Sequence, residues 1–168
     1  MKLKEGKEKF LQAWGTFGTS WGINRTMAQI HALLLISPVS LTTDDIMDEL
    51  SISRGNANMN IRALIDWGLV KKELRSGERI EYFFAEKDIW KVAMQVIMER
   101  RRREIEPVLA LLNELSEIDA DKRDKNVKAF SETILGIRDV VSQADRTLDR
   151  ITKADENWFV NQFMKLLK

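Results

Sequence analysis

Asn56, Asn58 and Arg62 crowd one short stretch of the chain, with Gly55 ahead of them and Met59 between them. A side-chain amide can pair in bidentate fashion with N6 and N7 of adenine, and a guanidinium with O6 and N7 of guanine. A glycine lets backbone N–H groups come close to a phosphate. Carboxylates are scarce in this stretch, Asp66 lying further down. An Asn-rich face taken alone favours the reading of a solvated surface, and its place after a helix and turn and before a hairpin reverses that.

Thr42 and Asp45 stand at the spacing of a capping box and open a short helix through Leu50. Asp44, Asp45, Asp48 and Glu49 crowd that helix and would repel phosphate, which makes it a support for the next element. Ser51-Ile52-Ser53 reads as a tight turn, with Ser53 as the N-cap of a second helix running from Arg54 to about Trp67. Helical rotation puts Ala57, Ile61, Leu64, Ile65 and Gly68 on a core-facing arc, and Gly55, Asn56, Met59 and Arg62 opposite, with Asn58 at the shoulder. Leu69–Leu74 and Ile80–Ala85 read as two strands around the tip Arg75-Ser76-Gly77-Glu78-Arg79. Arg75 and Arg79 flank that tip as phosphate or minor-groove contacts, and Ile80, Tyr82 and Phe84 alternate as the face that packs on the helices. Helix, turn, helix and hairpin in this order spell a winged helix-turn-helix, and the predicted DNA contacts are Ser53, Arg54, Gly55, Asn56, Asn58, Met59, Arg62, Arg75 and Arg79.

The run Ser53-Arg54-Gly55-Asn56-Ala57-Asn58-Met59-Asn60-Ile61-Arg62, followed by Leu64 and Trp67-Gly68-Leu69-Val70, resembles the recognition-helix signature of the GbsR family, the glycine betaine synthesis repressors among the MarR-like winged-helix regulators. The resemblance covers roughly residues 15–103 and fades beyond. It implies a homodimeric repressor or activator whose DNA affinity responds to a small molecule, choline for the family's namesake.

Length and composition fit that expectation. A chain of 168 residues with 44% hydrophobic content suits one winged-helix domain plus dimerisation helices, a mainly α fold with a small β-hairpin wing. The absence of cysteine excludes a disulfide scaffold and a thiolate zinc site. No apolar run approaches the ~20 residues that span a bilayer, and the Lys- and Glu-rich start is unlike a secretory signal, so a cytoplasmic protein is expected. The net charge is only +1, but between Ser53 and Ala85 the bases Arg54, Arg62, Lys71, Lys72, Arg75 and Arg79 outnumber the acids Asp66, Glu73, Glu78 and Glu81. With no cysteine nucleophile, no phosphate-cradling glycine loop and a single histidine with no acidic or serine pattern nearby, an enzyme is not expected, nor is a cofactor.

The flanks read as dimerisation machinery, giving an N-terminal helix over 1–22, the DNA-binding domain over 23–87 and a helical region over 88–168. Phe10, Trp14, Phe17 and Trp21 form one aromatic stripe, interrupted by Gly15, Gly18 and Gly22, which permit close backbone packing. Aromatic faces hold quaternary ammonium groups, chemistry that matches the choline response the resemblance implies, although such a stripe also serves as core or dimer interface. A helix over Arg25–Ser37 is closed by Pro38, and its His31, the only histidine, is expected to be hydrogen-bonded or on the surface, with no metal role. Asp88 can cap a long helix leading into Arg100-Arg101-Arg102-Arg103, a run that Glu99, Glu104 and Glu106 can pair as a salt-bridged face. Pro107 kinks or divides that helix, and 118–121 is the candidate linker. Val127, Phe130, Ile134, Ile137, Val141, Ala144 and Leu148 mark an amphipathic helix, and Trp158, Phe159, Phe163, Leu166 and Leu167 a terminal one. These faces call for a partner, most simply a second copy. The rival reading is a winged helix used for protein–protein contact, since the fold alone does not dictate DNA binding.

Overall fold

Two glycines set how the first helices meet in the computed structural model, which describes residues 1–20, 22–118 and 123–153. Helices α1 (Leu3–Ser20) and α2 (Arg25–Ile36) pack so closely that a Cβ on Gly18 would stand 2.6 Å from the Cβ of Ala28, and one on Gly15 2.8 Å from Cγ of Gln29. Asn24 starts α2 by accepting the N–H of Met27. Met27, Ala28, Ile30, Ala32, Leu33 and Leu34 then make α2 the centre of the first of two compact units, Met1–Val92 and Ala93–Lys168. The contact boundary thus falls after Val92 and leaves α1 in the same unit as the winged helix.

Helix α3 (Thr43–Leu50) begins with the expected capping box: Thr42 Oγ1 accepts from the N–H of Asp45, whose carboxylate accepts from the N–H of Thr42. Fully buried Ile46 anchors it. Helix α4 (Arg54–Asp66) ends at Gly68, whose φ of 70° allows its N–H to reach the carbonyl of Ile65 while that of Leu69 reaches Leu64, a Schellman closure. Ala57, Ile61 and Leu64 are buried as the periodicity requires. Gly68 is exposed and does not belong to that stripe, because it turns the chain out of the helix.

The sheet has three strands, not the two of a simple hairpin. Leu41–Thr42 (β1), Val70–Leu74 (β2) and Glu81–Ala85 (β3) pair antiparallel in the order β1-β3-β2. The packing face of β3 is the opposite of the one expected. Phe83 is 1% exposed and Ala85 is buried, whereas Ile80 is 54% exposed and Tyr82 and Phe84 are only half-buried. The apolar run Tyr82-Phe83-Phe84 carries no phase of its own. Pairing of Ala85 with buried Val70 sets it, and a shift of one residue exchanges the two faces of a strand.

In the second unit, α5 (Ile89–Arg100, which straddles the boundary) passes into a π turn at Arg101–Ile105, then α6 (Glu106–Leu115) and α7 (Lys125–Lys153). Pro107 has no N–H, and its ring would clash with the carbonyl four residues back. The chain widens there instead of breaking, and the N–H of Glu106 reaches the carbonyl of Arg101. The arginine run is paired: Arg100 with Glu104, and both Arg102 and Arg103 with buried Glu99. Arg101 instead reaches α7, bridging Asp145 at 2.5 Å and Asp149 at 3.2 Å, and the guanidinium holds the Asp145 carboxyl below its ordinary range. Leu112 of α6 and Ile134 of α7 are buried, while Phe130, Leu135, Ile137 and Val140 of α7 remain exposed. Among the described residues no helix is long and apolar enough to cross a membrane. The terminal aromatic helix and most of the candidate linker, residues 119–122, lie outside the described residues.

Candidate nucleic-acid interface

Ser51 and Ser53 create the turn that presents α4. Ser51 takes a left-handed conformation, φ 52°, and its N–H closes α3 on the carbonyl of Met47. Ser53 accepts the N–H of Asn56 at 3.3 Å and caps α4. Arg54, Gly55, Asn58, Met59 and Arg62 are exposed and Asn56 is half-buried, so the predicted reading face stands outward. Met59, at 63% exposure, is an apolar surface suited to a thymine methyl. Nothing lies within 4 Å of a Cβ built on Gly55, so the fold itself leaves that position open.

The charges on this face are not idle. Arg54 pairs with Asp44 of α3. Arg62 donates to Glu81 at 2.6 Å, and Lys72 donates to the other oxygen of the same carboxylate at 2.8 Å, so α4 is tied to the wing. The Lys72 hydrogen bond first, and Arg62 after it, hold the Glu81 carboxyl below its ordinary value. Arg75 folds back over the ring of Tyr82, 3.7 Å from its centre, and donates to Ser40 Oγ at 2.9 Å. The Tyr82 hydroxyl donates to Glu78 at 2.6 Å, which raises its pKa. Arg75 therefore braces the wing through Tyr82 and Ser40, and both Arg75 and Arg79 are exposed at its tip.

Sequence reasoning did not single out Asn60. It is 3% exposed, and its Nδ2 donates both to the backbone carbonyl of Asn56 at 2.8 Å and to Asn56 Oδ1 at 2.7 Å. The i, i+4 spacing of the two residues was the available signal. Lys87 was missed as well. Its ammonium donates to the carbonyls of Leu34, Leu35 and Ser37, capping the end of α2, and desolvation lowers its pKa.

Phe10, Trp14 and Phe17 form a ladder along α1, with ring centres 5.4 and 5.9 Å apart and Trp14 6.4 Å from the ring of His31. Trp21 lies outside the described residues. The expectation for His31 fails: it is 5% exposed, and its Nε2 has no hydrogen-bond partner among the described residues. Burial, and after it the charge of Lys87, lowers its pKa to about 4, so the ring is neutral near pH 7. Among the described residues no three His, Asp or Glu side chains gather to hold a metal ion.

Residues 21–79 match the MarR family model. No curated protein matches the chain. A solved structure described as a transcriptional regulator is similar, with a TM-score of 0.58 and 18% identity, over 86% of this chain and 99% of that one. The capped α3, the turn at Ser51–Ser53, the outward face of α4 and the three-stranded wing, in the stretch that matches that family, are those of a MarR-type winged helix-turn-helix fold.

Proposed function

We propose that the chain is a sequence-specific DNA-binding transcriptional regulator, a repressor of the GbsR kind, acting as a homodimer in the cytoplasm and without enzymatic activity. The observation that carries the proposal is the outward face of α4, where Asn56, Asn58, Met59 and Arg62 stand together behind a capped N-terminus. Each recognition helix would enter a major groove, with Ser53, Arg54 and Gly55 toward a phosphate and Arg79 at the backbone or minor groove. Replacing Asn56, Asn58 or Arg62 with Ala is expected to cost about 1–3 kcal/mol of operator affinity and to relax specificity at one base position. Titration of an operator duplex and its single-base variants checks this. An equal loss on every sequence would contradict base reading.

The pairing of Arg54, Arg62 and Arg75 with Asp44, Glu81 and Glu73 favours a second reading, a winged helix used for protein contact, because a phosphate must displace those carboxylates. The slope of affinity against salt separates the two: counterion release from several phosphates gives a steep slope, and a protein surface does not.

The effector is proposed to be a quaternary ammonium compound held against Phe10, Trp14, Phe17 and Trp21. The neighbouring, mutually tilted rings of α1 support this, since aromatic faces attract such cations. Such a ligand regulates only if it prefers one separation of the two recognition helices. Calorimetry with choline and glycine betaine, with and without operator, tests it; heat release with unchanged DNA affinity would contradict the switch.

A further inference from the structure

Buried Asn60 has both amide hydrogens within reach of Asn56. Its donation to the backbone carbonyl of Asn56 fixes which end of the Asn60 amide is nitrogen, because a carbonyl only accepts. The Asn56 atom 2.7 Å from that same nitrogen must then be the oxygen Oδ1. The carbonyl end of the Asn56 amide is therefore turned toward a residue that is 3% exposed, and its NH2 end is left for the outside.

A bidentate pair with adenine needs the oxygen and the nitrogen of an amide side by side on the base edge. Asn56 does not present that edge. On the reading of α4 as a DNA-recognition helix, on which this inference rests, we propose that Asn60 is a specificity-determining positioning residue that makes Asn56 a donor to the base. Asn56 then selects guanine, whose O6 and N7 both accept, or thymine through O4. Adenine is disfavoured because its N6 amino group would face another N–H.

The test is selection of duplexes from a random pool by the full-length wild type, Asn56→Ala and Asn60→Ala, with melting curves to establish that each variant is folded. The position whose preference vanishes in Asn56→Ala is the one Asn56 reads. Wild type is expected to take guanine or thymine there by on the order of tenfold over adenine. Asn60→Ala frees Oδ1, and adenine is expected to enter at that position alone, the other positions staying as in wild type. A purely structural role would weaken all positions together. Wild-type preference for adenine, or an unchanged pattern in Asn60→Ala, overturns the proposal while leaving DNA binding intact. No enriched duplex for wild type overturns the DNA reading itself and this inference with it. Hydrogen exchange of the Asn60 side-chain amide in the DNA-free protein decides independently of the variants: slow exchange is expected, and exchange as fast as that of an exposed amide contradicts the hydrogen bonds invoked.

Discussion

His31 is neutral at pH 7 because burial among the α2 core residues penalises its charged form and Lys87 repels it. Its folded pKa, about 4, lies below the unfolded value of 6.5, so the unfolded chain binds the proton first as pH falls. Stability is thus undiminished by this group above about pH 6.5 and is lost progressively down to about pH 4, by ~3 kcal/mol in all. His31→Leu is expected to be less sensitive to acid than wild type by roughly 2–3 kcal/mol between pH 7 and 4.5, measured by urea unfolding at both pH values. Equal losses in the two proteins would contradict the assignment. The sequence could place His31 on α2 but not tell its burial, because that depends on α1 covering it, a tertiary fact. The exposure of Asn58 and Arg62 was legible for a different reason: the helical period alone puts them outward. The carboxylates that meet the arginines come from α3 and the sheet, and no local pattern announces them.

At the scale of elements, the caps were the clearest signals. Thr42 with Asp45, Ser53 and Asn24 act within three residues of their targets, so local spacing determines them. β1 escaped notice because two residues show no alternation and Thr42 already reads as a cap. The inward face of β3 was misassigned because its phase is set by pairing across the sheet, not by its own run of aromatics. The close approach of α1 and α2 rests on a few ångströms at Gly18. Gly18→Ala would bring a methyl to 2.6 Å from Ala28 Cβ, a rigid neighbour, and is expected to cost about 1–3 kcal/mol despite the better helix propensity of alanine. Thermal unfolding checks this. A variant as stable as wild type would mean that the two helices are free to separate.

At the scale of the whole molecule, α7 offers more apolar surface than its own unit covers. Phe130 and Ile137 lie on the same stripe as buried Ile134, yet both remain exposed. A second copy is the partner proposed for this stripe and for the exposed side of α1, where Phe17 stands. Truncation after Leu115 removes α7 and uncovers Leu112, and is expected to give aggregation or loss of the dimer in light scattering. A well-behaved truncated dimer would place the interface elsewhere. The change of period after Ala85 is the local signal from which a separate helical region over 88–168 is expected. The exact seam after Val92 was not legible, because it falls inside a continuous helix.

The central claim is that two α4 helices read one duplex, and selection of bound sequences from a random pool by the full-length protein tests it most directly. The expected result is an enriched inverted repeat whose half-sites lie about one helical turn, roughly 34–36 Å, apart, with one position per half-site lost in Asn56→Ala. Recovery of no enriched sequence, at a salt concentration where other winged-helix regulators bind their sites, would contradict it.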